Sequence, residues 1–232
     1  MGSVQQYDLF FVNNSMGGGK ACVYQDAGNI ICGDGSPSAL AWMICGANPG
    51  VQIDFKWHVE YDCAWFNATA PATQQIKTAD VNAGTSVVLA LDQYGYSFVS
   101  GTVPPVPGKL SLLGDYTIPS VNNVLLGIGM SGAGTFAFPA QPNVSHGFSP
   151  VADTSLSYWL AFGGDFQRNR PVGQVVPSIK PICVRFPAGV FAMTVTLDAS
   201  NILRLVPGSP PNAALASAPS SVKIVYRAGQ DG

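Results

Sequence analysis

Residues 127–132, GIGMSG, satisfy G-x-G-x-x-G, the spacing with which a strand-to-helix turn cradles the pyrophosphate of a dinucleotide. That chemistry needs a helix after the last glycine, because the amides at its N-terminus face the phosphate. Here the glycines run into AGTFAFPAQPN, where Phe136 and Phe138 alternate and Pro139 and Pro142 bar a long helix. The motif therefore predicts backbone geometry: a bulge, a tight hairpin or the close approach of another chain segment. No cofactor is expected.

Acid–base and metal chemistry have few candidates. Asp54, Glu60 and Asp62 share the parity of one alternating segment, a set that can flank a glycosidic bond or hold calcium. Lys56 lies among them and His58 beside Glu60, which is the ordinary dress of a solvated strand face. The only other histidine is His146, and neither G-x-S-x-G nor H-E-x-x-H occurs. Asp26, Asn29 and Asp34 in DAGNIICGDG depart from calcium-loop spacing and read as a turn-rich loop. Five cysteines (Cys22, Cys32, Cys45, Cys63, Cys183) form an odd set without C-x-x-C, so unpaired and mostly buried thiols are expected, not zinc ligands. We expect no enzyme, no catalytic residues and no metal.

One loop has the residue types of a binding site. Trp159 precedes Asp165, Gln167, Arg168, Asn169 and Arg170 in SYWLAFGGDFQRNRP, an aromatic body beside donors and acceptors. A carbohydrate is the ligand such a set would take.

The elements that must position these residues read as strands. Gly (26) and Pro (18) are frequent in the 232 residues, with many Val, Thr, Phe and Tyr, which argues for strands joined by turns. In residues 53–65, Ile53, Phe55, Trp57, Val59, Tyr61, Cys63 and Trp65 alternate with Asp54, Lys56, His58, Glu60 and Asp62. Period two over that length predicts a strand buried on one face and solvated on the other, long enough to bend or to pass between two sheets. Further strands are expected near both termini and at 73–80, 85–91, 94–99, 109–113, 124–130, 134–140, 157–163, 181–186, 191–197 and 201–206. Residues 26–38 and 142–150 are expected to be loops. SALAWMICGANPG predicts one short helix, capped by Ser36 or Ser38 and stopped at Gly46, with Trp42 packing it. The predicted fold is an all-β, two-sheet antiparallel β-sandwich over residues 1–206. Residues 207–232 are a low-complexity linker, PGSPPNAALASAPSS, followed by a C-terminal strand or arm, VKIVYR.

Charge limits the partners. Charged residues are 10% of the chain and the formal net charge is −2, so there is no basic stripe to grip nucleic acid. Little self-repulsion keeps copies apart, which favours oligomers, filaments or inclusions. Val222, Ile224, Val225 and Tyr226 of the arm are the expected self-association residues, adding a strand to this molecule or to a neighbour. No apolar run is long enough to span a membrane and no signal peptide is read at the N-terminus, so a cytoplasmic protein is expected.

Five blocks together carry a family resemblance: VNNSMGGGKACVYQ, SALAWMICGANPG with IDFKWHVEYDCAWF, GIGMSGAGTFAFPAQPN, SYWLAFG and VRFPAGVFAMTVTLDASN. In that order the chain resembles the rhizosphere-induced RhiA-type proteins of bacteria. The resemblance implies a small cytosolic protein, abundant, produced under population-density control and without known enzymatic activity. It supplies no catalytic residues. The chain departs from the family pattern in DAGNIICGDG, in FQRNRPVG and in the extension after about residue 206.

Overall fold

A computed structural model describes residues 5–33, 35–67, 74–78, 81, 84–100, 104–151, 156–210 and 223–227. The fold is all-β, but four sheets replace the expected two. Sheet I has the order β18 (Leu203–Pro207), β17 (Ala192–Leu197), β1 (Gln6–Asn13), β6 (Gln52–His58), β19 (Lys223–Arg227). Sheet II is β16 (Ile179–Arg185), β15 (Ser157–Phe162), β2 (Gly19–Gln25), β5 (Met43–Ala47). Sheet III is β10 (Gly95–Ser100), β9 (Thr85–Asp92), β11 (Leu110–Gly114), β14 (Ser145–Pro150), β3 (Ile30–Cys32). Sheet IV is β4 (Ser38–Ala39), β13 (Ala133–Pro139), β12 (Val124–Met130), β7 (Tyr61–Asn67), β8 (Gln74–Thr78). Pairing is antiparallel except for β1 with β17, β9 with β11 and β6 with β19.

The long alternating segment does pass between sheets. It is broken at Val59–Glu60, so that β6 lies in sheet I and β7 in sheet IV. In the same way β2 in sheet II runs through a 3-10 turn at Ala27–Asn29 into β3 in sheet III. Ring contacts lock the sheets in pairs. Phe11 meets Phe162 at 5.4 Å and Trp57 meets Tyr158 at 4.8 Å between sheets I and II. Trp65 meets Tyr96 at 5.6 Å and Phe138 meets Phe148 at 5.8 Å between sheets III and IV. Trp42 joins the pairs, packing edge-on against Trp57 while its Nε1 donates to the Met130 carbonyl at 3.0 Å. One hydrophobic core takes residues from all four sheets.

Trp42 was expected on a helix, and here the structure corrects the reading. Residues 38–47 are extended, as β4 and β5 joined by Leu40–Trp42. The amides that would start a helix go to distant carbonyls: Leu40 to Thr135, Ala41 to Arg170 and Trp42 to Val23, at 2.9–3.1 Å. A short helix cannot outbid that many tertiary hydrogen bonds. Two expected loops also contain strands, β3 and β14, which pair with each other and complete sheet III.

The glycines of residues 127–132 serve backbone geometry. A Cβ on Gly127 would lie 1.9 Å from the Phe136 carbonyl oxygen, and one on Gly129 would lie 2.4 Å from that of Ala133. The register slips between Ile128 and Gly129, a bulge that twists the hairpin of β12 and β13. Ser131 (φ 50°) and Gly132 (φ 79°) make the turn, both left-handed as a two-residue hairpin loop of this type requires. Gly127→Ala is expected to cost about 2–4 kcal/mol by urea denaturation, because the neighbouring main chain must move. Gly46→Ala, where nothing lies within 4 Å of the added carbon, is the neutral control.

Candidate functional site

The ligand loop expected from sequence does not converge. On β15, Trp159 lies in register between Tyr24 of β2 and Cys183 of β16, so the three share one sheet face. Its Nε1 donates to the Asp26 carboxylate. Asp26 also accepts the Gly28 amide at 2.8 Å, and Asn29 is buried with its amide on Ser157 and Gln25. Both therefore hold a turn; Asp34 lies outside the described residues. Arg168 donates to the Gly132 carbonyl at 3.1 Å, and the Asn169 side chain accepts the Gly134 amide at 2.9 Å. The backbones of Asn169 and Arg170 pair with Ala41, while Gln167 is exposed and its carbonyl accepts from Arg170. These residues dock the loop on the β12–β13 hairpin. Asp165 alone turns elsewhere, to Lys20 at 2.7 Å.

That ion pair marks a cleft which side-chain reasoning did not find. It measures about 490 Å³ and lies between two glycine runs, Gly17–Lys20 and Gly163–Asp165, with Ser15, Phe162, Ser178, Ile179 and Asn201 completing its walls. The first wall is stiffened from behind. Buried Asn13 donates to the carbonyls of Gly17 and Ala47, both at 2.9 Å, and its Oδ1 accepts from the Ser15 hydroxyl at 2.7 Å. On the second wall Gly163 is left-handed (φ 80°), its amide donates to the Lys20 carbonyl, and its own carbonyl accepts from Ser178. A glycine run in the sequence signals flexibility; here its absent side chains shape a surface.

The carboxylate set does not assemble either. Asp54 and Asp62 stand in different sheets, with exposed Glu60 at the break between them. Asp54 is 2% exposed, which corrects the expectation of a solvated face. Lys56 reaches both Asp54 and Asp8 at 3.1 Å. Desolvation pulls the Lys56 pKa down, but hydrogen bonds and charge from Asp54 and Asp8 outweigh it and hold the value above the ordinary 10.5. His146 is buried face to face with Phe138 at 4.1 Å. Among the described residues no three His, Cys, Asp or Glu side chains are grouped to hold a metal ion.

No thiol whose ionisation is shifted is primed as a nucleophile. Burial pushes Cys22 up to about 12 and Cys32 up to about 11, and raises Cys45 and Cys183. Tyr24 is likewise raised to about 12, by burial first and then by Cys22, Asp26 and Cys183 around it.

The last feature is an edge. Gln52, Ile53, Asp54 and Phe55 of β6 are all buried, so this strand has no solvated face along that stretch. One side of it pairs with β1. The other takes the C-terminal strand, in the register Lys223↔Gln52 to Arg227↔Lys56. Of the expected self-association residues, Ile224, Val225 and Tyr226 are thus placed in the chain's own sheet, and Val222 lies outside the described residues. Among the described residues no helix is long and apolar enough to cross a membrane.

With this geometry in hand, comparison with known proteins gives two matches. Residues 4–208 match the family model described as RhiA. Protein RhiA of Rhizobium leguminosarum bv. viciae is 28% identical over 210 residues, which cover 84% of each chain. No solved structure matches.

Two outcomes are expected. Iodoacetamide near neutral pH should leave buried Cys22 of the native protein unmodified, and modify it once urea unfolds it; rapid native labelling would contradict the burial. For Lys56, the native state holds the proton more tightly than the unfolded chain. Its contribution to stability is therefore full below the ordinary lysine value and lost as pH rises through the higher native one. From about pH 10.5 upward the urea midpoint should fall further in the wild type than in Lys56→Met. At neutral pH that variant should itself lose about 3 kcal/mol, having taken the ammonium away from a buried carboxylate.

Proposed function

The chain belongs to the RhiA family, and from that premise we propose that it is a non-enzymatic, self-associating protein whose copies are joined by exchange of the C-terminal strand. The observation that carries this reading is the supply of β6's second edge. A strand buried on both faces must have its amides and carbonyls paired, since water cannot reach them. The partner, β19, returns from the opposite edge of sheet I, beyond β18, β17 and β1. Crossing the sheet between those edges takes about 19 Å at the usual strand spacing.

Residues 208–222 make that connection, and their sequence is low in complexity and rich in Pro, Ala and Ser. Fully extended they reach about 50 Å at ~3.3 Å per residue. That reach includes a neighbour's β6 as well as the chain's own. Exchange keeps every hydrogen bond of the β6–β19 pair and changes only which chain supplies it. Reciprocal exchange closes a dimer, while head-to-tail exchange builds an open chain of copies. A formal net charge of −2 offers little repulsion to either.

Shortening the connection separates the alternatives. Deletion of residues 209–221 leaves two residues between β18 and β19, a reach of about 10 Å, too short to close within one molecule. By multi-angle light scattering the full chain should gain mass as concentration rises, and the shortened chain should be multimeric throughout. Monomers from both chains at every concentration would overturn the proposal.

A further inference from the structure

The cleft between Gly17–Lys20 and Gly163–Asp165 plays no part in strand exchange, and its chemistry is specific enough to name a ligand class. Its volume, about 490 Å³, is that of a small-molecule site. Glycines line it for different reasons. A Cβ on Gly18 would meet the Asn48 side chain at 2.6 Å, one on Gly19 would meet Phe162 at 3.1 Å, and one on Gly164 would meet Phe166 and Val175 at 2.7 Å. Those three are crowded by neighbouring side chains. Gly17 is not: nothing lies within 4 Å of its added Cβ, and its φ is not in the left-handed region. A side chain there would meet open space, and glycine keeps the cleft clear.

The polar groups in the cleft are balanced. Lys20 offers an ammonium and Asp165 a carboxylate, 2.7 Å apart and side chains 45% and 81% exposed, so the pair is readily opened. Together they are neutral and give no net attraction to an anion or a cation. Asn201 adds an amide, and half-buried Ile179 with the largely buried Phe162 supplies the apolar part. A hydroxyl both donates and accepts, so adjacent hydroxyls on one ligand can bridge an ammonium and a carboxylate. We infer that this cleft binds a neutral, hydroxyl-rich ligand of mono- or disaccharide size. Lys20 donates to it, Asp165 accepts from it, and the apolar face of the sugar lies towards Ile179 beside Phe162.

The test uses the full chain and a panel of methyl glycosides of glucose, mannose, galactose, fucose and N-acetylglucosamine. Amide shifts are followed by 1H–15N NMR. At least one glycoside should move the amides of Gly17–Lys20 and Gly163–Asp165 together and saturably. Asp165→Asn should weaken that binding roughly tenfold, by loss of a hydrogen bond to a charged group. Gly17→Trp should abolish it while leaving the remainder of the spectrum in place. The inference is overturned if no glycoside moves these amides, if binding survives Gly17→Trp, or if inorganic phosphate or free glycine binds there in preference to every glycoside.

Discussion

The architecture depends on one constraint: a single segment, residues 52–67, is buried in two sheets in succession. Its first half, β6, carries Ile53, Phe55 and Trp57 into the contact between sheets I and II. Its second half, β7, carries Cys63 and Trp65 into the contact between sheets III and IV. Because β6 is buried on both faces for most of its length, hydrogen bonding must be complete on both of its edges. β1 meets one side, and the far end of the chain must come back to meet the other. A strand needed by the core but tethered through a long connection is the structural basis of the exchange proposed above.

How much of this was legible follows from what each signal measures. Period-two alternation reports parity, and it placed Ile53, Phe55, Trp57, Tyr61, Cys63 and Trp65 in the core. It does not report whether the other face is covered, which is why Asp54 was read as solvated. Spacings of three and four in Leu40, Met43 and Ile44 look helical in so short a window. Only the carbonyls of Thr135, Arg170 and Val23, far away in sequence, decide otherwise. β14 was hidden by Gly147 and Pro150, residues that punctuate loops; Pro150 ends the strand, and at Gly147 an added Cβ would meet the Lys109 side chain at 2.0 Å.

The site was less legible than the fold for a related reason. Asp165 was one of the polar residues expected in its loop to bind a ligand, and it lines the cleft. Its neighbours Arg168 and Asn169 are occupied with the hairpin of β12 and β13. The opposite wall is made of glycines, which leave no side-chain pattern to read. The glycine run at 127–132 shows the same limit from the other direction: its spacing imitates a phosphate cradle while its atoms serve a bulge and a turn. Spacing identifies a candidate, and what a Cβ would strike identifies the job.

The central claim is that β6 accepts the C-terminal strand of another copy. It is tested most directly by placing a photo-reactive benzoyl-phenylalanine at position 226 and co-refolding 15N-labelled with unlabelled chains. After irradiation, the isotope content of the adducts between residue 226 and the β6 peptide is read by mass spectrometry. Mixed-isotope adducts in the proportion of random mixing are the expected result. Adducts confined to single chains, at concentrations where the protein is multimeric, would contradict the account.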